Sequence, residues 1–127
     1  MQNHAVIIDD DIDDIELMID ALQTVEPSLQ LVTFLDGVSA ISWLTNLNTI
    51  RPVFIFIDMN MPIIKGDYVL LELRKYFRNE DTKIVMYSTS MPNEVARKLI
   101  QLGAHSAFEK PSRFEKYISI LTDLLKN

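Results

Sequence analysis

Residues 53–58 have the sequence Val-Phe-Ile-Phe-Ile-Asp, an unbroken apolar run that ends in a carboxylate. An apolar run without polar alternation is typical of a strand that is buried on both faces of a parallel sheet. Four more apolar stretches are separated by segments long enough for a helix, so five strands are expected. The predicted strands are Ala5–Ile8, Leu31–Leu35, Val53–Ile57, Ile84–Tyr87 and Ser106–Phe108.

The segments between and after these strands carry apolar residues at helical spacing. Asp36 precedes the second of these segments, where its side chain can cap a helix that starts at Gly37. The alternation predicts an α/β fold of five βα units, a doubly wound five-stranded parallel sheet with helices on both faces. The apolar faces are formed by Ile15, Met18, Ile19 and Leu22; Ala40, Ile41 and Leu44; Val69, Leu70, Leu73 and Phe77; Val95, Leu99 and Leu102; and Phe114, Tyr117, Ile118 and Leu121.

The composition favours one domain with a packed core. The chain has 127 residues, of which 48% are hydrophobic, and no cysteine that could form a disulfide or a thiolate metal site. No apolar run is long enough to span a membrane and no signal peptide is visible, so we expect a cytoplasmic protein. The first 50 residues hold nine acids and no Lys or Arg. Because the chain has no basic stripe, binding to nucleic acid is not expected.

Polar residues follow four of the predicted strands: Asp9 and Asp10, then Asp58, then Ser88, and finally Lys110. The carboxyl ends of parallel strands meet at one edge of a sheet, so these side chains should converge. Three close carboxylates repel one another unless a cation lies among them, and Mg²⁺ prefers such oxygen ligands. A carboxylate beside Mg²⁺ and a lysine is a plausible nucleophile towards phosphorus. The pattern therefore indicates phosphoryl transfer to an aspartate.

The acidic run of residues 9–14 has two other interpretations. Negative charge stabilises a helix N-terminus, which explains Asp13 and Asp14 and can explain Asp11, but does not explain an aspartate pair directly after a strand. An EF-hand loop would place ligands at alternating positions from Asp9. That loop needs glycine where Asp14 stands and a helix where the strand is predicted, so we reject it.

The sequence resembles a response-regulator receiver domain, the class of the bacterial chemotaxis regulator and of stand-alone phosphorelay receivers. The resemblance covers essentially the whole chain and implies the flavodoxin-like strand order 2-1-3-4-5. The acidic run at residues 9–14 is most similar to that of the stand-alone receivers. The motifs that carry the resemblance are Val6–Asp10, Phe56–Pro62 with Gly66, Met86–Thr89, and Gly103-Ala104 followed by Lys110-Pro111.

The resemblance implies a role for each residue at the strand ends. Asp58 would be the phosphoacceptor. Asp10 and Asp58 would ligate Mg²⁺ directly, Asp9 would do so through water, and the backbone carbonyl of Asn60 would complete the protein ligands. Ser88 would bond one phosphoryl oxygen and Lys110 would neutralise another.

Two further features of the family concern the end of the chain. Its members usually have a cis peptide bond before the proline, here Lys110-Pro111. They commonly carry Tyr or Phe three residues before the lysine, where this chain has Ala107. Phe108 cannot take the place of that ring, because successive strand side chains point to opposite faces. We therefore expect a weaker conformational response to phosphorylation on the surface of the fourth helix and fifth strand.

We interpret residues 1–127 as a single receiver domain without an output domain. It would accept a phosphoryl group from the phosphohistidine of a histidine kinase or phosphotransfer protein and signal to an unknown downstream protein. It would catalyse only its own phosphorylation and dephosphorylation, contact neither nucleic acid nor membrane, and be a monomer or weak dimer. Two alternatives stay open. Ala107 would suit a degenerate receiver that acts as a phosphorylation-independent adaptor. A phosphatase with an aspartate nucleophile is disfavoured by Asn60, which stands where the general acid is needed.

Overall fold

The fold is a five-stranded parallel sheet with helices on both faces, as the sequence predicts. It is known from a computed structural model that describes residues 3–46 and 50–126. The strand order is β2-β1-β3-β4-β5, which confirms the predicted order. The strands are β1 His4–Ile8, β2 Gln30–Phe34, β3 Phe54–Asp58, β4 Lys83–Ser88 and β5 Ser106–Glu109.

Five helices alternate with these strands. They are α1 Ile12–Val25, α2 Gly37–Leu44, α3 Gly66–Arg74, α4 Asn93–Gln101 and α5 Phe114–Lys126. Asp36 caps α2 as predicted, since its side chain accepts a hydrogen bond of 2.7 Å from the Ser39 N–H. Asp11 caps α1 in the same way, accepting from the N–H groups of Asp13 and Asp14 at 2.9 and 3.3 Å. None of the helices in the two described ranges is long and apolar enough to cross a membrane.

β3 lies in the middle of the sheet and separates two apolar clusters. Ile55 and Ile57 point into the cluster under α2, α3 and α4, and Phe54 and Phe56 point into the cluster under α1 and α5. Every residue of β3 is buried. Each large apolar side chain buried here contributes about 1.5–3 kcal/mol relative to an exposed one. Burial on both faces explains why this run has no polar alternation.

β2 is an edge strand and its observed limits differ from the prediction. It spans Gln30–Phe34 rather than Leu31–Leu35, and Leu35 is half exposed. Phe34 pairs with Ile8, the last residue of β1, so Leu35 has no partner with which to continue the ladder. The chain turns there towards the Asp36 cap.

Candidate functional site

The carboxyl ends of β1 and β3 bring three aspartates together. Asp9 is fully buried just beyond β1, Asp58 is nearly buried as the last residue of β3, and Asp10 is exposed. One carboxylate oxygen from each lies within 4.8 Å of the other two. The structure thus brings together the three side chains that the sequence predicts to hold a cation.

The charge of Asp58 is unfavourable in this arrangement. Burial and the neighbouring Asp9 raise the pKa of Asp58 from 3.8 to about 6, although Lys110 and the Asn60 N–H act in the opposite direction. The Asn60 N–H lies 3.3 Å from Asp58 Oδ1. A hard divalent cation would remove this repulsion, and three carboxylates are a donor set that suits one. Asp9, Asp10 and Asp58 fit such an ion, and when bound it would neutralise developing negative charge.

Lys110 reaches into the same cluster from the end of β5. Its Nζ lies 2.7 Å from Asp14 Oδ2, 3.3 Å from Asp9 Oδ2 and 3.6 Å from Asp58 Oδ1. Burial alone would lower the pKa of Lys110, but the hydrogen bond to Asp14 and the charges of Asp9 and Asp58 raise it overall. The ammonium therefore stays charged beside the carboxylates.

The closest partner of Lys110, Asp14, is missing from the sequence-based set of site residues. Asp14 lies in the first turn of α1, which accounts for an acidic residue there without any role in the site. Its pairing with Lys110 joins residues 96 positions apart. A signal for it existed in the chain order, because α1 starts almost directly after Asp9 and its first turn stays near the sheet edge.

Ser88 lies at the end of β4 and is buried. Its Oγ accepts a hydrogen bond of 2.8 Å from Asn60 Nδ2 and a longer one of 3.4 Å from the Ser90 N–H. These bonds leave the Ser88 hydroxyl proton available to donate. The use of the Asn60 side chain to hold Ser88 adds to the sequence analysis, which assigned only its backbone carbonyl. That carbonyl as a metal ligand stays a prediction.

Tyr87, which the sequence analysis gave no role in the site, also contacts the acidic cluster. Its hydroxyl donates a hydrogen bond of 2.8 Å to Asp9 Oδ2, and both groups are buried. Burial first, and then the charge of Asp9, raise the pKa of Tyr87 well above its ordinary value, so the hydroxyl keeps its proton. The signal in the sequence was a tyrosine beside Ser88 in an otherwise aliphatic strand.

β5 confirms that Phe108 cannot replace the missing ring at Ala107. Ala107 lies beside Met86 and packs against the cluster under α4. Phe108 points to the other face, where it stacks on Tyr87 at a ring distance of 5.7 Å. The peptide bond Lys110-Pro111 is trans, so the cis bond that the resemblance implies is not found here.

Gly66 fixes the backbone that carries Asp58. Its N–H donates to the Met59 carbonyl at 3.0 Å, so the start of α3 lies directly on the turn after β3. A Cβ at this position would collide with the backbone oxygen of Asp58 and lie 2.8 Å from the Met59 Cα. Since both obstacles are backbone, they cannot move without displacing Asp58.

The response regulator receiver domain model matches residues 5–122. The chain belongs to this family. Receiver domains are the phosphorylatable signalling domains of two-component systems, and a cluster of acidic side chains at the sheet edge agrees with that membership. No curated protein sequence matches this receiver domain significantly.

Solved structures show the same fold at low sequence identity. The phosphorylated cyanobacterial phytochrome response regulator RcpA is 23% identical, with a TM-score of 0.83 over 99% of this receiver domain and 93% of that chain. The Mn²⁺-bound response regulator Rcp1 is 21% identical, with a TM-score of 0.80 over 96% and 91%. The chemotaxis response regulator CheY4 of Vibrio cholerae is 22% identical, with a TM-score of 0.81 over 98% and 99%.

Proposed function

We propose that this receiver domain accepts a phosphoryl group on Asp58 from the phosphohistidine of a histidine kinase or phosphotransfer protein, with Mg²⁺ as cofactor. The observation that carries the proposal is the position of Asp58, which lies close both to the other two carboxylates and to Lys110. A nearly buried carboxylate within reach of an ammonium and a cation site is arranged for attack on phosphorus rather than for capping a strand.

In the proposed reaction an oxygen of Asp58 forms a bond to phosphorus as the phosphorus–nitrogen bond of the donor breaks. The leaving imidazole keeps the electron pair of that bond. Lys110 Nζ, now 3.6 Å from Asp58 Oδ1, then neutralises a phosphoryl oxygen. The Ser88 hydroxyl, whose proton is not used in another bond within the described part of the chain, donates a hydrogen bond to a second phosphoryl oxygen. Mg²⁺ held by Asp9, Asp10 and Asp58 would supply charge neutralisation throughout.

Signalling by this receiver domain would pass through protein contacts made after phosphorylation. The Met91 N–H donates 3.1 Å to Glu109 Oε1, which connects the loop after Ser88 to the end of β5. Movement of Ser88 towards a phosphoryl group would therefore displace both the loop after Ser88 and the end of β5. Cytoplasmic location is part of the proposal, as histidine kinases present their phosphohistidine there.

The test is incubation of the purified chain with Mg²⁺ and acetyl phosphate, followed by intact mass measurement. We expect an adduct of about 80 Da on the wild-type chain and none on Asp58→Asn. Asp13→Asn is the matched control, because Asp13 is an exposed aspartate of the same acidic run. Phosphate on Asp58→Asn at the wild-type level would reject the assignment. No adduct on any chain would support the phosphorylation-independent adaptor, and sustained turnover of varied phosphomonoesters would support a phosphatase.

A further inference from the structure

Tyr87 places a hydroxyl inside the acidic site from the face of β4 opposite to Ser88. It donates to Asp9 Oδ2 at 2.8 Å, while the other oxygen of Asp9 accepts from the Asp11 N–H at 3.0 Å. Asp9 has no solvent exposure. Each oxygen of its carboxylate therefore has a defined hydrogen-bond donor, and the plane of the carboxylate is fixed.

The ring of Tyr87 supports the other charged partner in the site. Lys110 Nζ lies 5.0 Å from the ring centroid, within the range of a cation–π interaction. The ring itself is held by stacking on Phe108, which meets Tyr117 edge-on. A phenylalanine at position 87 would keep these ring contacts and lose only the hydroxyl.

The hydroxyl matters because a buried carboxylate needs donors to compensate for the loss of water. Lys110 lies 3.3 Å from Asp9 Oδ2 but is closer, at 2.7 Å, to Asp14. The bond from Tyr87 to Asp9 Oδ2 is thus shorter than the contact from Lys110 to the same oxygen. A short bond to an ionised acceptor is strong and directional, and it sets where the remaining lone pairs of Asp9 point.

We propose that Tyr87 is a positioning residue of the cation site. Its hydroxyl fixes Asp9 in the orientation that a divalent cation, or a water bound to that cation, requires. Groups that orient the ligands of a metal typically change its affinity 10–100-fold when they are removed. The inference rests on the proposed function only in assuming that the acidic cluster binds Mg²⁺.

The first measurement is Mg²⁺ affinity by isothermal titration calorimetry. We expect Tyr87→Phe to bind Mg²⁺ about tenfold more weakly than the wild-type chain. Tyr117→Phe is the matched control, since it removes a hydroxyl from another largely buried tyrosine of the same aromatic cluster. The Tyr117 hydroxyl donates no hydrogen bond to any residue in the described ranges, so the affinity of this variant should stay within about twofold.

The second measurement separates positioning from a general structural defect. The rate of phosphorylation by acetyl phosphate is followed as Mg²⁺ is increased. For Tyr87→Phe the half-saturating Mg²⁺ concentration should rise about tenfold, and the maximal rate should return to within about twofold of wild type. A lower maximal rate at an unchanged half-saturating concentration would overturn the inference.

Two further outcomes keep the inference and the proposed function apart. A wild-type chain that does not bind Mg²⁺ overturns both, whereas wild-type binding with equal affinity in Tyr87→Phe overturns the inference alone. If Tyr87→Phe fails to fold, the wild-type chain with ¹³C-labelled tyrosine provides the test by NMR. The Tyr87 ring signals should shift with Mg²⁺ while those of the exposed Tyr76 do not, and an unshifted Tyr87 rejects the inference.

Discussion

Asp10 and Asp13 are exposed aspartates three positions apart with different surroundings. Asp10 contributes an oxygen to the cluster with Asp9 and Asp58, whereas Asp13 lies in the first turn of α1 with its N–H bonded to the Asp11 cap. The same change, aspartate to asparagine, removes one negative charge in either case. The pair therefore distinguishes a cation ligand from a favourable charge at a helix start.

We predict that Asp10→Asn weakens Mg²⁺ binding about tenfold or more, because it removes a ligand. Asp13→Asn should change the affinity by about twofold or less, because the charge of the exposed Asp13 interacts with the ion only through solvent, where salt screens it. Calorimetric titration of both variants measures this difference. Equal losses would mean that residues 9–14 attract the ion only as a diffuse acidic patch.

Asp58 leads to a prediction about pH. Between pH 3.8 and about 6, the folded chain without metal holds a proton on Asp58 that the unfolded chain has released. Its stability should therefore fall as the pH rises through this window and level off above it. A shift of this size corresponds to at most about 3 kcal/mol.

Urea unfolding of the metal-free chain from about pH 4 to about pH 7 measures the effect. Asp58→Asn has no such titration. The difference in unfolding free energy, variant minus wild type, should therefore increase as the pH rises. Saturating Mg²⁺ should reduce the gap by stabilising the charged form. Parallel pH profiles for the two chains would contradict the raised pKa.

At the scale of single elements, the proposed movement of Ser88 would be transmitted to β5 and to the loop before α4. Ala107 has no ring to follow Ser88 towards a phosphoryl group, while the loop remains connected to Glu109 through the Met91 N–H. A smaller differential interaction between two states gives a smaller shift in their populations.

We therefore predict that beryllofluoride with Mg²⁺ produces large backbone amide NMR shifts in residues 89–93 and weak ones along residues 94–102 and 105–109. The reference is the same chain with Mg²⁺ alone. Shifts along α4 and β5 as large as those in the loop would show that the switch does not need an aromatic ring at position 107.

The elements themselves could be predicted from sequence because their signals are local. Burial of β3 on both faces removes polar alternation from its sequence, and the Asp36 cap of α2 joins residues only three positions apart. The convergence of Asp9, Asp10, Asp58 and Lys110 was predicted from the parallel direction of the strands, whose carboxyl ends lie at one edge of the sheet. Asp14 and Tyr87 were not predicted, because their bonds to Lys110 and Asp9 span 96 and 78 residues and depend on side-chain direction. Local patterns explained both residues adequately, one as a helix-start charge and one as a strand aromatic.

At the scale of the whole molecule, Arg74 at the end of α3 stabilises the amino ends of the strands, on the side of the sheet opposite to the acidic cluster. Its guanidinium donates to the backbone carbonyls of Gly103, Thr82 and Phe77 at 2.6, 2.8 and 3.1 Å. Thr82 and Gly103 precede β4 and β5, so these bonds lie at the amino ends of the strands. The acidic cluster lies at the carboxyl ends.

We predict that Arg74→Ala lowers the free energy of unfolding by about 3 kcal/mol, because it leaves several carbonyls without their charged donor. Mg²⁺ affinity of the folded chain should stay within about twofold of wild type, since distant sites are usually independent. Urea unfolding and calorimetric titration provide the two numbers. A matched loss of affinity would show that the two edges are coupled.

The central place of β3 has a consequence for motion. Its amides pair on both sides, with β1 and β4, and should exchange their hydrogens with solvent only when the whole domain opens. Asp10 and Ser90 lie in exposed segments beyond the strands, where local opening is far easier. Asp58, the proposed phosphoacceptor, therefore belongs to the slowest-opening part of the chain, while Asp10 and Ser90 belong to parts that open faster. An ion or a partner that binds here would enter and leave on the timescale of the loops, while Asp58 keeps its position.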